Sequence, residues 1–313
     1  MSSGLPTIAV VMPAFNASAY LPAALDSLWT QSFSDFEVIA VDDGSTDRTA
    51  EQLRSIAARE PRLRVVCGSH GGVTAALNRG LAEARSPFIA RMDADDVCHP
   101  RRFEMQLAFL EANPEVVAVG AACTLIDEAG DRLTEHPYPL THEEILDRLL
   151  AGRSGLSHPA ALIRRGALER VGGYDPAFAV AQDFDLWLRL SEIGQLANLE
   201  ESLLRYRLHP ASVGGQQRDR QLSAVKRALE NYAARSGRSI SAVSSPEARS
   251  AASQRIRWAR WAWQAGEYAT ARKHAGLAVR ARPWSVSAWV MLLRSQRRPH
   301  GPPPVVSGQE RSV

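Results

Sequence analysis

Val38-Ile39-Ala40-Val41-Asp42-Asp43-Gly44-Ser45-Thr46-Asp47 passes from four apolar residues straight into two adjacent carboxylates and a Gly-Ser-Thr turn. A second stretch repeats the pattern: Phe88-Ile89-Ala90 leads through Arg91-Met92 into Asp93-Ala94-Asp95-Asp96. Short apolar runs rich in β-branched residues read as strands, and an open α/β sheet presents its ligand-binding groups at the carboxyl ends of such strands. Two deliveries of acids within one domain point to a site that handles a nucleotide together with a metal-bound phosphate.

Working outward, the first hundred residues alternate strands with amphipathic segments. Strands are expected at 8–12 (stopped by Pro13), 36–41, 63–67 and 88–92. Helices are expected at 20–29, 47–58, from Gly71-Gly72 to about 84, and at 100–111. In 20–29, Leu21, Ala24, Leu25 and Leu28 fall at the i, i+3, i+4, i+7 spacing of one helix face. Strand–helix alternation implies an α/β domain with a mostly parallel sheet flanked by helices. After Val116 the pattern changes. Two short strands (116–119 and 123–126), a turn at 128–131, helices at 142–150 and 184–193, and a strand at 203–208 are expected. From Gln217 onward the chain reads helical, and residues from Pro299, with Gly301-Pro302-Pro303-Pro304, read as a disordered tail. The expected division is therefore 1–216, 217–298 and 299–313, and within the second part the Ser-rich junction at 236–245 is the best domain boundary the sequence offers. Gly266, Tyr268, Ala271, Ala275, Ala278 and Pro283 fall at the offsets of one tetratricopeptide-like unit. A solenoid needs about three, so this region is an appendage.

The bulk numbers exclude several classes. A chain of 313 residues with 45% hydrophobic and 23% charged residues has the balance of a water-exposed globular protein. Cys67, Cys98 and Cys123 are widely spaced, which supports neither a disulfide framework nor a zinc site and implies a reducing compartment. The first residues lack the basic-then-apolar order of a secretory signal. The longest apolar candidate, 286–293, is far below the roughly 20 residues of a spanning helix. Residues 254–298 carry ten Lys/Arg against the single acid Glu267, a balance of +9 that leaves −6 for the rest of a +3 chain. A mildly acidic body argues against a nucleic-acid reader. The basic segment, with Trp258, Trp261, Trp263, Trp284 and Trp289, either fills an interhelical core or leans on an anionic membrane.

Each candidate site residue has a structural and a chemical reading. Asp42 to Asp47 suit a turn and a helix cap, yet adjacent carboxylates repel unless a base N–H, a ribose hydroxyl or a cation sits between them. Asp93 and Asp95, two apart in extended chain, point to one side. Mg²⁺ typically takes one or two such carboxylates plus substrate phosphates, whereas the alternative is a solvated acidic loop. Asp183 and Asp185 open a helix, where the dipole favours carboxylates and where a catalytic base could face the sheet's carboxyl edge. His158, His209 and Arg207 lie near predicted strand ends as either structural or site residues.

Taken in order, these segments resemble the inverting glycosyltransferase family 2, with its GT-A nucleotide-sugar-binding fold and bacterial-type sugar transferases. The resemblance rests on Val11-Met12-Pro13-Ala14-Phe15-Asn16, Asp42-Asp43-Gly44-Ser45-Thr46-Asp47, Leu77-Asn78-Arg79-Gly80-Leu81, and Ile89-Ala90-Arg91-Met92-Asp93-Ala94-Asp95-Asp96 followed by Pro100, Arg102 and Gln106. It continues through Gly172-Gly173-Tyr174-Asp175, Gln182-Asp183-Phe184-Asp185-Leu186-Trp187-Leu188-Arg189 and Tyr206-Arg207-Leu208-His209, covering residues 7–215. It implies that Pro13, Ala14, Phe15, Asn16, Asp42, Asp43, Asn78, Arg91 and Asp93 bind the nucleotide-sugar. Asp93 and Asp95 would hold Mg²⁺ or Mn²⁺, and Asp183 would be the catalytic base. Gln182 stands where the family usually has Glu, and His70 where Asn or Glu is frequent. His158, Gln182 and His209 are placed on the acceptor side.

The implied activity moves a sugar from a nucleoside-diphosphate sugar, expected to be a UDP-sugar, to a glycan or lipid-linked acceptor in cell-surface polysaccharide synthesis. The expected location is cytoplasmic, with peripheral contact at the inner membrane face through the basic C-terminal helices and no nucleic-acid partner. Two alternatives are weighed. A nucleotidyltransferase would want a Gly-rich basic signature near the first strand, which Pro13-Ala14-Phe15-Asn16 does not supply. A non-catalytic glycan- or partner-binding module is favoured only by Gln182 and opposed by Asp93, Asp95 and Asp183.

Overall fold

The computed structural model describes residues 4–209, 218–238 and 251–296. The expected tail at 299–313 and most of the Ser-rich junction lie outside these residues. The chain forms two compact units. The first comprises Met1–Cys123, Pro137–Arg205 and Asp219–Val243; the second comprises Thr124–His136, Tyr206–Arg218 and Ser244–Val313. This division departs from the cut expected at 216/217: a long helix from the expected C-terminal region belongs to the first unit, and a hairpin from the expected catalytic domain belongs to the second.

The first unit opens with β1 (Ile8–Ala14), α1 (Leu21–Trp29), β2 (Phe36–Asp42), α2 (Thr49–Ala57), β3 (Leu63–Cys67), α3 (Val73–Glu83) and β4 (Phe88–Arg91). It goes on through β5 (Val97–Cys98), α4 (Arg102–Ala112) and β6 (Val116–Ile126), whose last residues pair with β7 (Arg132–His136) in the second unit. Then follow α5 (His142–Leu150), β8 (Leu162–Arg164), α6 (Arg165–Val171), α7 (Gln182–Ser191), β9 (Gln195–Arg207) and α8 (Arg218–Ser236). The strand order is β3-β2-β1-β4-β8-β6-β9-β5. Parallel register holds from β3 to β4, whereas β8 runs antiparallel to both β4 and β6, and β5 antiparallel to β9. The α/β sheet is thus mixed, with its parallel part carrying both carboxylate clusters.

Alternation along β1 shows why both faces are covered. Ile8, Val10 and Met12 enter one core with Leu21, Leu25, Leu28 and Phe103. Ala9 and Val11 enter the other with Ile39, Leu77 and Trp187. Side chains two apart share a face, so this strand is apolar throughout.

Several expected boundaries move. Pro13 does not stop β1, which continues to Ala14 with Pro13 opposite Val41. Backbone groups alternate sides along a strand, and Val11 accepts from Met92 on the β4 side. Pro13 therefore turns its missing N–H toward β4, which has already ended at Arg91 opposite Val11. The two short strands expected at 116–126 are one. Gly120 carries the strand through because a Cβ there would lie 2.1 Å from Asn198 Oδ1. Strand β8 and helix α6 are too short to show a periodic pattern in the sequence.

The second unit joins the β6–β7 hairpin to α9 (Ala251–Gln264), α10 (Tyr268–Ala281) and α11 (Val286–Gln296). Leu125, Leu133 and Leu208 pack with Trp258, Trp261, Ala262 and Ala271. Three of the five tryptophans (Trp258, Trp261 and Trp263) thus serve the core, as one of the two readings held. Ala271, Ala275 and Ala278 are fully buried, small residues that admit a close neighbouring helix. At the centre lies Asp127, fully buried, whose Oδ2 accepts from Lys273 Nζ at 2.7 Å and His274 Nε2 at 2.8 Å. Its Oδ1 accepts from the backbone N–H groups of Ala129 and Asp131, both at 2.9 Å. Arg255 faces His274 Nδ1 at 3.1 Å. A guanidinium only donates, so Nδ1 accepts and the imidazole is the neutral Nε2–H tautomer.

Candidate active site

At the carboxyl ends of β1 and β2 the two following loops are stitched together. Asn16, at φ +51°, accepts through Oδ1 from the backbone N–H of Thr46 at 2.8 Å and donates its own N–H to Ser45 Oγ at 3.0 Å. Ala17 N–H donates to Thr49 Oγ1 at 2.8 Å, and Asp47 accepts from Ser18 and Thr49. Burial pushes the Asp47 carboxyl up, but these hydrogen bonds outweigh it and bring its pKa down to about 2. Asn16 therefore braces the loop and holds Phe15 out at the edge, 46% exposed.

The repulsion expected between Asp42 and Asp43 is relieved by the protein itself. Asp43 accepts from Gly71 N–H at 2.9 Å and Gly72 N–H at 2.8 Å, with His70 Nδ1 3.0 Å from Oδ2. Asp42 accepts from Ser45 N–H at 3.3 Å. Asp43 thus shapes the loop before α3, where Gly72 takes φ +83°. His70, which the sequence left uninterpreted, stacks on Phe15 with ring centroids 4.3 Å apart. Phe15 and His70 form one aromatic shelf above the two acids.

The end of β4 gathers the second cluster. Arg91 Nη2 lies 2.5 Å from Asp93 Oδ1. Asp93, Asp95 and Asp96 each bring an oxygen within 4.8 Å of the others. The Asp-x-Asp spacing shows only Asp93 and Asp95 in the sequence; Asp96 joins them in the fold. Three carboxylate oxygens are the donor set of a hard divalent cation such as Mg²⁺ or Mn²⁺, so these residues fit the expected metal. Burial pushes the Asp93 carboxyl up, Arg91 pulls it back, and the charges of Asp95 and Asp183 push it up again, with a net upward shift. Arg91 is 5% exposed, and its Nε and Nη1 meet no protein acceptor. Buried unmet donors on a charge cost several kcal/mol, roughly, so these two nitrogens are the conspicuous unsatisfied donors beside the cluster.

The strand end is held from beneath by a buried clamp. Arg102, fully buried, donates to the carbonyls of Arg91 at 2.9 Å, Ala161 at 3.0 Å and Pro159 at 3.0 Å. Gln106 accepts from Arg102 and donates to Ala160 O at 2.7 Å. This accounts for the Arg102 and Gln106 positions of the family motif.

Asp183 enters on the first turn of α7. Ala181 at φ +55° turns the chain sharply into that helix, a strained conformation for a residue with a Cβ. Burial pushes the Asp183 carboxyl up, opposed in part by the backbone N–H groups of Phe184 and Asp183 and by Arg91. Arg189 steadies the helix by pairing with Asp185 at 2.6 Å and donating to the carbonyls of Val171 and Gly173, both at 2.8 Å.

Two expected site residues have other work. Asn78 donates to Tyr174 O at 2.7 Å and accepts from Tyr174 N–H at 3.0 Å, so its carboxamide is a clasp between α3 and the loop before α7. His158 is buried, with Nε2 2.7 Å from the Tyr174 hydroxyl and its ring edge-on to Trp187. Burial and Arg91 hold its pKa well below the usual histidine value, so it is a neutral prop for the Tyr174 hydroxyl. Gln182 is buried at the head of α7, and His209 belongs to the second unit. Replacing Asn78 by Ala is expected to cost about 1–3 kcal/mol of stability through two orphaned backbone groups. Denaturant unfolding measures it, and nucleotide affinity unchanged apart from that loss separates a clasp from a ligand contact.

Acids at the carboxyl edge of a mixed α/β sheet, an aromatic shelf and a helix-borne carboxylate thus all lie in the first unit. Residues 9–172 match the pattern of Glycosyl transferase family 2. The chain is 32% identical over 212 residues to the O-antigen biosynthesis glycosyltransferase WbnJ of Escherichia coli, covering 66% of this chain and 82% of that protein. Its fold is similar to that of S. aureus TarS 1-349 in complex with UDP-GlcNAc, with TM-score 0.60 and 16% identity over 88% of this chain and 81% of the other. It is likewise similar to the mannosyltransferase PcManGT from Pyrobaculum calidifontis in complex with GDP-Man and Mn2+, with TM-score 0.54 and 20% identity over 94% and 80%. The chain belongs to glycosyl transferase family 2.

Proposed function

We propose that this protein transfers a sugar, with inversion, from a nucleoside-diphosphate sugar to a hydroxyl of a glycan or lipid-linked acceptor in cell-surface polysaccharide synthesis. The observation that carries this reading is the single charged group formed by Arg91, the Asp93-Asp95-Asp96 cluster and Asp183. The name of the O-antigen relative supports the polysaccharide role. The nucleotides in the titles of the two similar structures support a UDP- or GDP-linked donor, with UDP the expected one.

Phe15 and His70 would receive the base, with Asp42 and the loop shaped by Asp43 beside the ribose. A cation on Asp93, Asp95 and Asp96 would supply neutralisation of the diphosphate as it leaves. The unmet Nε–H and Nη1–H groups of Arg91 would donate to donor oxygens beside that cluster. Asp183 would take the proton from the acceptor hydroxyl as that oxygen attacks the anomeric carbon from the face opposite the leaving group. Gln182 contributes no charge at the head of α7, so the backbone N–H groups of Phe184 and Asp183 and the charge of Arg91 are the positive influences on this base. A cytoplasmic setting, with peripheral membrane contact through the C-terminal helices, belongs to the same reading; among the described residues no helix is long and apolar enough to cross a membrane.

The raised Asp183 pKa sets a pH dependence. A base works ionised, so kcat/KM is expected to fall as pH drops through a value above the ordinary 3.8 of an Asp. A pH–rate profile whose acid limb lies at or below that ordinary value contradicts the assignment. The activity itself is tested by product analysis of a sugar-nucleotide panel with lipid-linked acceptors and Mn²⁺. Turnover of one nucleotide class is expected. Nucleotide binding with no turnover against any acceptor would favour the non-catalytic glycan-binding alternative.

A further inference from the structure

Helix α11 is apolar on two opposite faces. Ala288, Met291 and Ser295 are buried, and Met291 packs with Ala259 and Ala275. On the other side Val286, Trp289, Val290 and Leu293, at the i, i+3, i+4, i+7 spacing of one stripe, are 75%, 46%, 43% and 58% exposed. Trp284, immediately before the helix, is 81% exposed. A globular protein rarely leaves so large an apolar stripe in water without a partner.

The charges around the stripe say what kind of partner. Arg280, Arg282 and Arg294 are exposed at its two ends, and α11 has no acid in its sequence. Glu267 is the only acid in residues 251–296, and it is paired with Arg132 at 3.1 Å. A protein partner matching this fringe would need acids around an apolar centre. An anionic bilayer meets both demands at once, with headgroup charge at the rim and acyl chains beneath. Tryptophan suits that boundary. Trp289 already donates its indole N–H to Pro283 O at 2.7 Å, so immersing its ring strands no polar group. Eleven residues of helix are about 16 Å long, which fits lying in the interface and excludes spanning it.

We infer that the outward face of α11, led by Trp284, Trp289 and Leu293, is an interfacial anchor that seats this protein on an anionic lipid surface. The anchor deepens the membrane part of the proposed function and does not depend on the donor chemistry. It would hold the protein where lipid-linked acceptors are found.

The test is co-sedimentation of the full-length protein, without nucleotide, with vesicles of phosphatidylcholine alone or with added phosphatidylglycerol. Binding is expected only to the anionic vesicles, falling about tenfold or more in Trp289→Ser/Leu293→Ser, given the apolar area removed. Leu293 is 58% exposed and Trp289 is half-exposed with its hydrogen bond to Pro283 O, so the double variant is expected to lose a few degrees of Tm at most and to keep the wild-type affinity for UDP with Mn²⁺. That nucleotide measurement separates failure of the anchor from failure of the donor reading. No binding to anionic vesicles, or equal binding by the double variant, overturns the anchor. So does self-association on size-exclusion chromatography that the double variant abolishes while vesicle binding is absent, since the face would then belong to a second copy.

Discussion

Asp183→Asn is expected to lower the rate of sugar transfer by about 10²–10⁴-fold, the usual contribution of a positioned general base. The replacement is isosteric, so affinity for the donor nucleotide should stay within about twofold. The stability outcome is also signed. Burial holds this carboxyl above its ordinary value, so its ionised form is disfavoured in the fold, and stability is drawn down as pH rises from the unfolded value through the raised one. A neutral amide removes that penalty, and Tm at neutral pH should be unchanged or higher. Loss of activity together with a lower Tm would point to a structural role, and full activity would remove Asp183 from the mechanism.

Asp127→Ala is expected to destabilise the second unit by about 3–5 kcal/mol, the penalty for stripping one partner from a buried charge network. Lys273, His274 and two backbone N–H groups all converge on this carboxylate, and each would lose this acceptor, with Lys273 keeping Asp131 at 2.7 Å. Although burial pushes the Asp127 carboxyl up, the hydrogen bonds from His274 and Lys273 hold it far below the usual range. Its contribution is therefore fully present above the ordinary Asp value and fades as pH falls toward the lowered one. Urea unfolding at pH 7 measures the loss. A change below about 1 kcal/mol would mean that the network is not what joins the hairpin to α9 and α10.

The parts of the molecule that were legible in the sequence are those with a repeating physical signal. The parallel strands announce themselves as β-branched runs, and their carboxyl ends as acids, because a buried strand that delivers charge has few other uses. Arg102 and Gln106 could be matched to a family motif but not explained, since a buried guanidinium holding three carbonyls leaves no periodic trace. The same holds for Asn78 and His158. A polar residue near a site looks like a ligand contact in sequence, yet here both close internal hydrogen bonds with Tyr174. Asp127 and His274 lie 147 residues apart, so their meeting depends on tertiary packing that no local pattern encodes. Strand β8, three residues long, lacks the length for any period to show. The tryptophans divided by exposure rather than by sequence, with Trp258 and Trp261 buried and Trp284 outward.

The central claim is that the Asp93-Asp95-Asp96 cluster holds a nucleoside diphosphate through a divalent cation. Titration calorimetry of UDP, GDP, CDP and dTDP into the wild type and Asp95→Ala, with and without Mn²⁺, tests it most directly. Asp95 is the better target because Asp93 is also the partner of Arg91, and removing it would strand a buried cation. The account predicts that one nucleotide, expected to be UDP, binds the wild type with an affinity that Mn²⁺ raises, and that Asp95→Ala abolishes the Mn²⁺ effect. Equal binding with and without Mn²⁺, or a Mn²⁺ effect that survives in Asp95→Ala, would contradict it.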